Sequence, residues 1–278
     1  MSNHVEGKSI IVTGAGGGFG RLASEKLAAR GARMVCADIN GEAAERVAAG
    51  IRDAGGAALA VAADVSNIDD MRAAAAAAVA ANGAIDVLVN NAGIMPLAYL
   101  AEHAQALEAW SRCIDINFKG TLHGVAAVYD QMMAQGRGHV VNLSSIYGNG
   151  PAAGAAVYGA TKAAVDYFSH ALRQETWGKI KVTVVKPTGV LATGLGSTVV
   201  NPKAGAAIVG QNLEAFYEMY GKLQAGTAPQ AWTDPDSIAY ASLDPGHVAD
   251  AIVHVIDQPW GVAISDITVR AAGDHYLL

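Results

Sequence analysis

Short apolar runs alternate along this chain with stretches of helical spacing. Ser9 to Thr13 is a β-branched run, and Gly18 to Arg30 follows with Leu22 and Leu27 on one face and a stop at Gly31. The unit repeats: strands at Met34–Ala37, Ala58–Ala63 and Ile85–Val89 flank helices at Glu42–Ala54 and Ile68–Ala81. Residues 101–135 carry helical spacing that breaks near Asn117 to Gly120. His139–Leu143 reads as a strand, Tyr158–Trp177 as a helix and Lys181–Val185 as a strand, and the series ends with a helix over Gly246–Ile256 and a strand over Ile264–Val269. Such alternation specifies an α/β fold, a doubly wound parallel sheet of about seven strands with helices on both faces.

Residues 194–246 interrupt the rhythm with Gly, Pro, Asn and Ser around one helical piece, Ala215–Leu223. An irregular insert of this length in a compact domain is usually functional, and a lid over a substrate site is expected there. No Pro- or Ser-rich linker divides the chain, so residues 1–278 are expected to form a single Rossmann-type domain. The alanine-rich Ala73 to Ala78 fits an ordinary helix, because alanine is the best helix former.

Composition narrows the function. Of the 278 residues, 52% are hydrophobic and 16% charged, which excludes disorder. The net charge of −6 and the lack of a clustered basic surface argue against nucleic acid as a partner. No uninterrupted apolar stretch is long enough to cross a membrane, and the first residues lack the order of a signal peptide, so a cytoplasmic protein is expected. Cys36 and Cys113 sit in apolar segments at a spacing that matches no metal or redox motif, and read as buried, inert thiols. His247 and His254 lie seven apart on one predicted helix without zinc-type spacing, so no catalytic metal is expected.

The 32 glycines are the conspicuous excess. Those of Thr13-Gly14-Ala15-Gly16-Gly17-Gly18-Phe19-Gly20 lie between the first strand and first helix, where backbone N–H groups and a helix N-terminus can cradle a pyrophosphate. A turn that merely needs positive φ would look the same; the context decides. Asp38 closes the second strand, where an acidic residue accepts hydrogen bonds from an adenosine ribose and repels a 2′-phosphate. Ala15 to Gly17 include no base, so NAD is expected over NADP, with Arg21 and Arg33 the nearest cations. S-adenosylmethionine methyltransferases also combine a glycine turn with an acidic residue and are the competing enzyme class.

Tyr158 and Lys162 lie four apart at the start of a predicted helix, on one face. Of the nine tyrosines, only Tyr158 has lysine at that offset. Ser145 ends the fifth strand thirteen residues earlier, at the carboxyl edge where open α/β sheets bind ligands. Ser144 is the neighbouring candidate. With these residues the chain resembles the short-chain dehydrogenase/reductase family from about residue 8 to residue 193. The resemblance rests on Thr13-Gly-x-x-x-Gly18-x-Gly20, Asp64-Val65, Asn90-Asn91-Ala92-Gly93, Asn117, Ser145, Tyr158-x-x-x-Lys162, Pro187 and Val190.

That resemblance implies a nicotinamide-dependent oxidoreductase with catalytic Asn117, Ser145, Tyr158 and Lys162. Tyr158 would be the general acid/base, Ser145 would bind the reacting oxygen, Lys162 would hold the nicotinamide ribose and Asn117 would support a water relay. It also implies cofactor contacts from Gly14, Gly18, Phe19, Gly20, Asp38 and Ile39. Asp64 and Val65 would flank adenine, Asn91 and Gly93 would line the nicotinamide ribose, and Val190 would meet the carboxamide. A free tyrosine titrates near about 10, too high for efficient proton transfer at neutral pH, so Lys162 and the positive nicotinamide are expected to lower Tyr158.

Two stretches depart from the family pattern. In Pro187-Thr188-Gly189-Val190-Leu191-Ala192-Thr193 the glycine and the threonine each fall one place late, which leaves cofactor contacts after Val190 open. The C-terminus lacks the family's Asp-Gly-Gly ending, which leaves dimer against tetramer open. A homo-oligomer formed through residues 101–135 and 158–177 is implied by the resemblance. Met95, Leu97, Tyr99, Tyr147 and Leu195 are the expected pocket walls, mostly apolar, and no arginine falls between Arg173 and Arg270 to receive an anionic substrate. The reading is an NAD-dependent alcohol dehydrogenase or carbonyl reductase for a neutral, fairly apolar secondary alcohol or ketone. A cofactor-retaining epimerase or dehydratase and a non-catalytic dinucleotide sensor are the alternatives.

Overall fold

The computed structural model describes residues 3–190 and 194–278. Within them lies one seven-stranded parallel sheet in the order β3-β2-β1-β4-β5-β6-β7. The strands are β1 Ser9–Thr13, β2 Arg33–Asp38, β3 Ala57–Ala62, β4 Val87–Asn90, β5 Gly138–Leu143, β6 Ile180–Pro187 and β7 Asp266–Val269. The three central strands β1, β4 and β5 are buried at every residue, as strands covered on both faces must be. Alternation along β1 assigns the two faces. Ile10 and Val12 enter a core with Leu27, Val47, Ile51, Val248 and Ile252, while Ile11 enters a second core with Ala75, Leu88, Val125, Met132 and Leu172.

The first core is closed by α1 Gly18–Ala28, α2 Gly41–Asp53 and α9 Pro245–Ile256; the second by α3 Ile68–Asn82, α5 Gly120–Gln135 and α6 Ala156–Glu175. Local chemistry sets the helix starts. The Asn40 side chain caps α2 by accepting from the Ala43 N–H, and the Asn67 side chain accepts from the Asp69 N–H at the start of α3. Gly83 ends α3 at φ 77°, where any side chain would be strained. Chain order reverses between β1 and β4, so a crevice opens at their carboxyl ends.

The expected break near Asn117 is a π-helical turn, Ile114–Lys119, joining α4 His103–Cys113 to α5 without a change of direction. The irregular stretch after residue 193 is more helical than its composition suggested. Tight 3₁₀ turns at Gly194–Thr198 and Pro202–Asn212, the latter interrupted at Gly210 (φ 50°), lead into α7 Leu213–Gln224 and the short α8 Gln230–Thr233. Alanine and glycine at a period near three carry no amphipathic signal, so only α7 was legible. The last strand is shorter than expected, beginning at Asp266 rather than Ile264.

At the amino edge of the sheet, away from the crevice, Trp260 is ringed by three cations. Lys8 Nζ stands 4.6 Å from its ring centroid, Lys181 Nζ 5.3 Å and the Arg137 guanidinium 5.3 Å. Burial pushes Lys181 down to about 8, and the Trp260 face adds to the compensation these charges receive from Asp86, 3.7 Å from Arg137, and from the carbonyls that Lys8 and Lys181 reach. Replacing Trp260 with Ala should therefore lower stability by about 1–3 kcal/mol. Denaturant unfolding reads that loss, and binding at the opposite edge should be unchanged.

Candidate active site

The crevice is floored by the glycine turn. Gly14 (φ 65°) and Gly18 (φ 50°) hold conformations that favour glycine, and a Cβ on Gly20 would lie 2.2 Å from the Gly14 carbonyl oxygen. Helix α1 starts just after Gly17 with no side-chain cap, so its first N–H groups are left without a partner among the described residues. This is a cradle shaped for a phosphate group. Phe19 turns its ring into the first core, leaving its backbone at the turn.

The residues expected along the cofactor divide in two groups. Asp38 sits at the end of β2 with Oδ2 accepting from the Gly16 N–H at 2.9 Å and Oδ1 from the Asn40 N–H at 2.9 Å. Ile39 beside it is 70% exposed, an apolar side chain left open at the crevice rim. Gly93 lies against the Asn117 and Lys162 side chains, 3.2 Å and 3.7 Å from the place a Cβ would take. The others also bond or pack within the chain. Asn91 donates its amide protons to the Thr13 and Gly14 carbonyls and so fastens the glycine turn. The Asp64 carboxylate accepts from the Ser66 N–H and hydroxyl, and Val65 is buried, with its carbonyl bonded to the His123 ring. Val190 packs against the first core, and the expected contacts beyond it, at Leu191 to Thr193, fall outside the described residues.

Ser145, Tyr158 and Lys162 converge at the carboxyl end of β5. All three are buried, at 7%, 3% and 6% exposure. The Ser145 hydroxyl accepts from the Tyr147 N–H at 3.3 Å and stands close enough to the Tyr158 phenol to favour its ionised form. Lys162 Nζ donates to the Leu143 carbonyl at 2.8 Å and stands 5.8 Å from the Tyr158 ring centroid. Ser144 instead donates to the Lys162 carbonyl, so it faces the helix backbone and away from Tyr158. Asn117, 1% exposed in the π-helical turn, ties α4 and α5 to the strand β4 exit. Its Oδ1 accepts from the Ile94 N–H, and its Nδ2 donates to the Ile94 carbonyl and to Thr161 Oγ1.

The electrostatics add an influence that the sequence did not show. Burial dominates at Tyr158 and holds the phenol above its ordinary value, and the nearby Ser145 hydroxyl only partly opposes that. Burial also brings Lys162 down to about 8, with Cys113 and Asp166 pulling the other way. Each side chain is thus biased toward its neutral form until another charge enters. Cys113 and Cys36 are free and buried, and burial raises both thiols to about 11.

Two parts of the site were missed. Asp166 lies one turn beyond Lys162 on the same face of α6 and pairs with Lys186 Nζ at 2.8 Å; Lys186 also donates to Asn149 Oδ1 at 2.7 Å. That partly buried pair pins the turn carrying Ser145 to the helix carrying Tyr158, and the Tyr158-Lys162-Asp166 spacing was the available signal. The second is Tyr276, near the C-terminus, discussed below. Tyr99 is a correction: expected in the pocket wall, it is 37% exposed and donates to the Lys203 carbonyl. Leu97, Met95 and Tyr147 do pack around Tyr158.

Comparison with known proteins agrees with this arrangement. A family model described as short chain dehydrogenase matches residues 8–203. The chain is 36% identical, over 68% of its length and 76% of the relative's, to a 2,5-dichloro-2,5-cyclohexadiene-1,4-diol dehydrogenase of Sphingobium indicum. A short chain dehydrogenase/reductase from Burkholderia phymatum in complex with NAD is 27% identical with a TM-score of 0.75, covering 96% of this chain and 90% of that one. A metagenomic short-chain oxidoreductase in complex with NADP is 26% identical with a TM-score of 0.72, over 96% and 98%. By the family match across most of its length and by its fold, this chain belongs to the short-chain dehydrogenases.

Proposed function

We propose that this oxidoreductase is an NAD-dependent dehydrogenase or carbonyl reductase acting on a neutral, fairly apolar secondary alcohol or ketone. The observation that carries the reading is the convergence of Ser145, Tyr158 and Lys162 beside a glycine cradle. A bound nicotinamide supplies or accepts the hydride. The protein's task is then the proton at the substrate oxygen. The Tyr158 phenol donates it to a ketone, or as phenolate takes it from an alcohol, while the Ser145 hydroxyl holds that oxygen in place. Because burial keeps the phenol protonated, the resting pocket is set as an acid, and alcohol oxidation needs the positive charge of Lys162 and of the oxidised cofactor.

The preference for NAD is supported by Asp38, a carboxylate at the end of β2 that would repel a 2′-phosphate bound there. The apolar surround of Leu97, Met95 and Tyr147 supports a neutral substrate, and similarity to a cyclic diol dehydrogenase supports a ring-borne secondary alcohol. Residues 194–246 serve as the lid within a single catalytic domain. The free buried cysteines fit a reducing, cytoplasmic setting. Exposed Leu107 and Ile114 on one side and Tyr167 on α6 support a homo-oligomer formed through these helices.

Tyr158→Phe should lower hydride transfer about 10²–10⁴-fold while NADH still binds, as read by NADH formation with secondary alcohols and by cofactor fluorescence. Full activity in that variant would end the proposed mechanism. Asp38→Asn keeps an acceptor for the Gly16 N–H and removes the charge. It should shift the NADP/NAD ratio of kcat/KM upward by about tenfold or more, and an unchanged ratio would remove Asp38 as the discriminator. In the reductive direction at saturating NADH, activity should hold through neutral pH and fall above about pH 8, where Lys162 loses its proton.

A further inference from the structure

The last residues of the chain return to the crevice. Asp274, its side chain 4% exposed, accepts from the Thr188 hydroxyl at 3.0 Å and pairs with Arg270 at 2.6 Å. Arg270 also donates to the Tyr276 and Leu278 carbonyls, Leu277 N–H donates to the Ile208 carbonyl, and Asn212 donates to the His275 carbonyl. The tail is thereby fastened both to the segment after β6 and to the turns before α7.

This clasp places one side chain inside. The Tyr276 ring fills the space that Gly189 leaves by having no side chain: a Cβ there would lie 2.4 Å from Cε2 and 3.2 Å from the hydroxyl. The same ring packs edge-on against Phe216, with centroids 5.9 Å apart, and joins the apolar cluster of Ile146, Ile208, Val209 and Tyr147. Tyr147 in turn packs edge-on against Tyr158 at 5.5 Å. Tyr147 thus lies near both Tyr158 and Tyr276. Among the described residues neither the Tyr147 nor the Tyr276 hydroxyl has a hydrogen-bond partner, although Tyr276 is close enough to push the Tyr147 phenol up. Burial raises both, Tyr276 to about 12, so each is a protonated donor at neutral pH. Half-buried donors without partners, set in apolar walls, favour a ligand that brings an oxygen.

We propose that Tyr276, together with Tyr147, forms a second oxygen-binding site that selects substrates bearing a hydroxyl or carbonyl away from the reacting carbon, on an apolar skeleton. The assignment rests on the dehydrogenase reading and adds its substrate class: diols and hydroxyketones, over simple alcohols. Tyr276 is a specificity-determining residue that moves no proton in the reaction.

The test compares 4-hydroxycyclohexanone with cyclohexanone at saturating NADH, in the full-length wild-type protein and in Tyr276→Phe and Tyr147→Phe. Tyr276→Phe should lose about five- to tenfold in kcat/KM for the hydroxyketone, mainly through KM, with cyclohexanone changed less than twofold, and Tyr147→Phe should lose more on the hydroxyketone than on cyclohexanone. Equal losses on both ketones, or none, would overturn the proposal. Thermal melting and NADH binding, unchanged in Tyr276→Phe, separate loss of the hydroxyl from loss of the fold. If the wild-type protein reduces neither ketone, the dehydrogenase reading is what fails. The second oxygen site is then judged by calorimetric binding of the two ketones, where wild type should favour the hydroxyketone about fivefold or more and Tyr276→Phe should not. No such preference would overturn it.

Discussion

The buried ammonium of Lys162, bonded to the carbonyl that ends β5, is the contact on which the site's geometry depends. A parallel sheet leaves the carbonyls at its carboxyl edge short of partners, and a helix crossing that edge can supply one only through a long side chain. Lys162 does so, and the bond sets the height of α6 over the strand. Tyr158 is one turn earlier on the same face, so its phenol is placed by the same bond. Asp166, one turn later, reaches the end of β6 through Lys186. One face of one helix therefore joins β5 and β6 and aims the phenol.

The cost is electrostatic. Burying an ammonium beside a phenol favours neutral forms of both, as the downward direction for Lys162 and the upward one for Tyr158 record. Groups held away from their preferred charge respond strongly to an incoming one, which is the behaviour an acid/base pair needs. The glycine cradle follows the same logic on a different scale: a helix start without a side-chain cap is left wanting an anion.

The order of strands and helices was legible because period and punctuation agree through most of the chain. β1 and α2 carry apolar residues where the sheet needs them, and Asn40, Asn67 and Gly83 mark ends by local chemistry alone. The Tyr158–Lys162 pairing was legible for the same reason, since four residues on a helix is a local relation. What escaped notice depends on contacts between distant parts of the chain. Asp166 gains meaning only from Lys186, and Tyr276 only from Gly189, Phe216 and Tyr147. Nothing within a few positions of Tyr276 distinguishes it from a tail residue, and the tight turns before α7 have no apolar period to announce them. The upward push of burial on Tyr158 was not legible, because charge is visible in a sequence and burial is not.

The clasp formed by Thr188, Asp274 and Arg270 fastens residues 270–278 beside the crevice, while the residues just ahead of β1 lie at the opposite edge of the sheet. The two ends of the chain are consequently unequal as points of attachment. Fusion partners, affinity tags and surface tethers joined after Leu278 would load strain onto the roof of the crevice, and those joined ahead of β1 would leave it undisturbed.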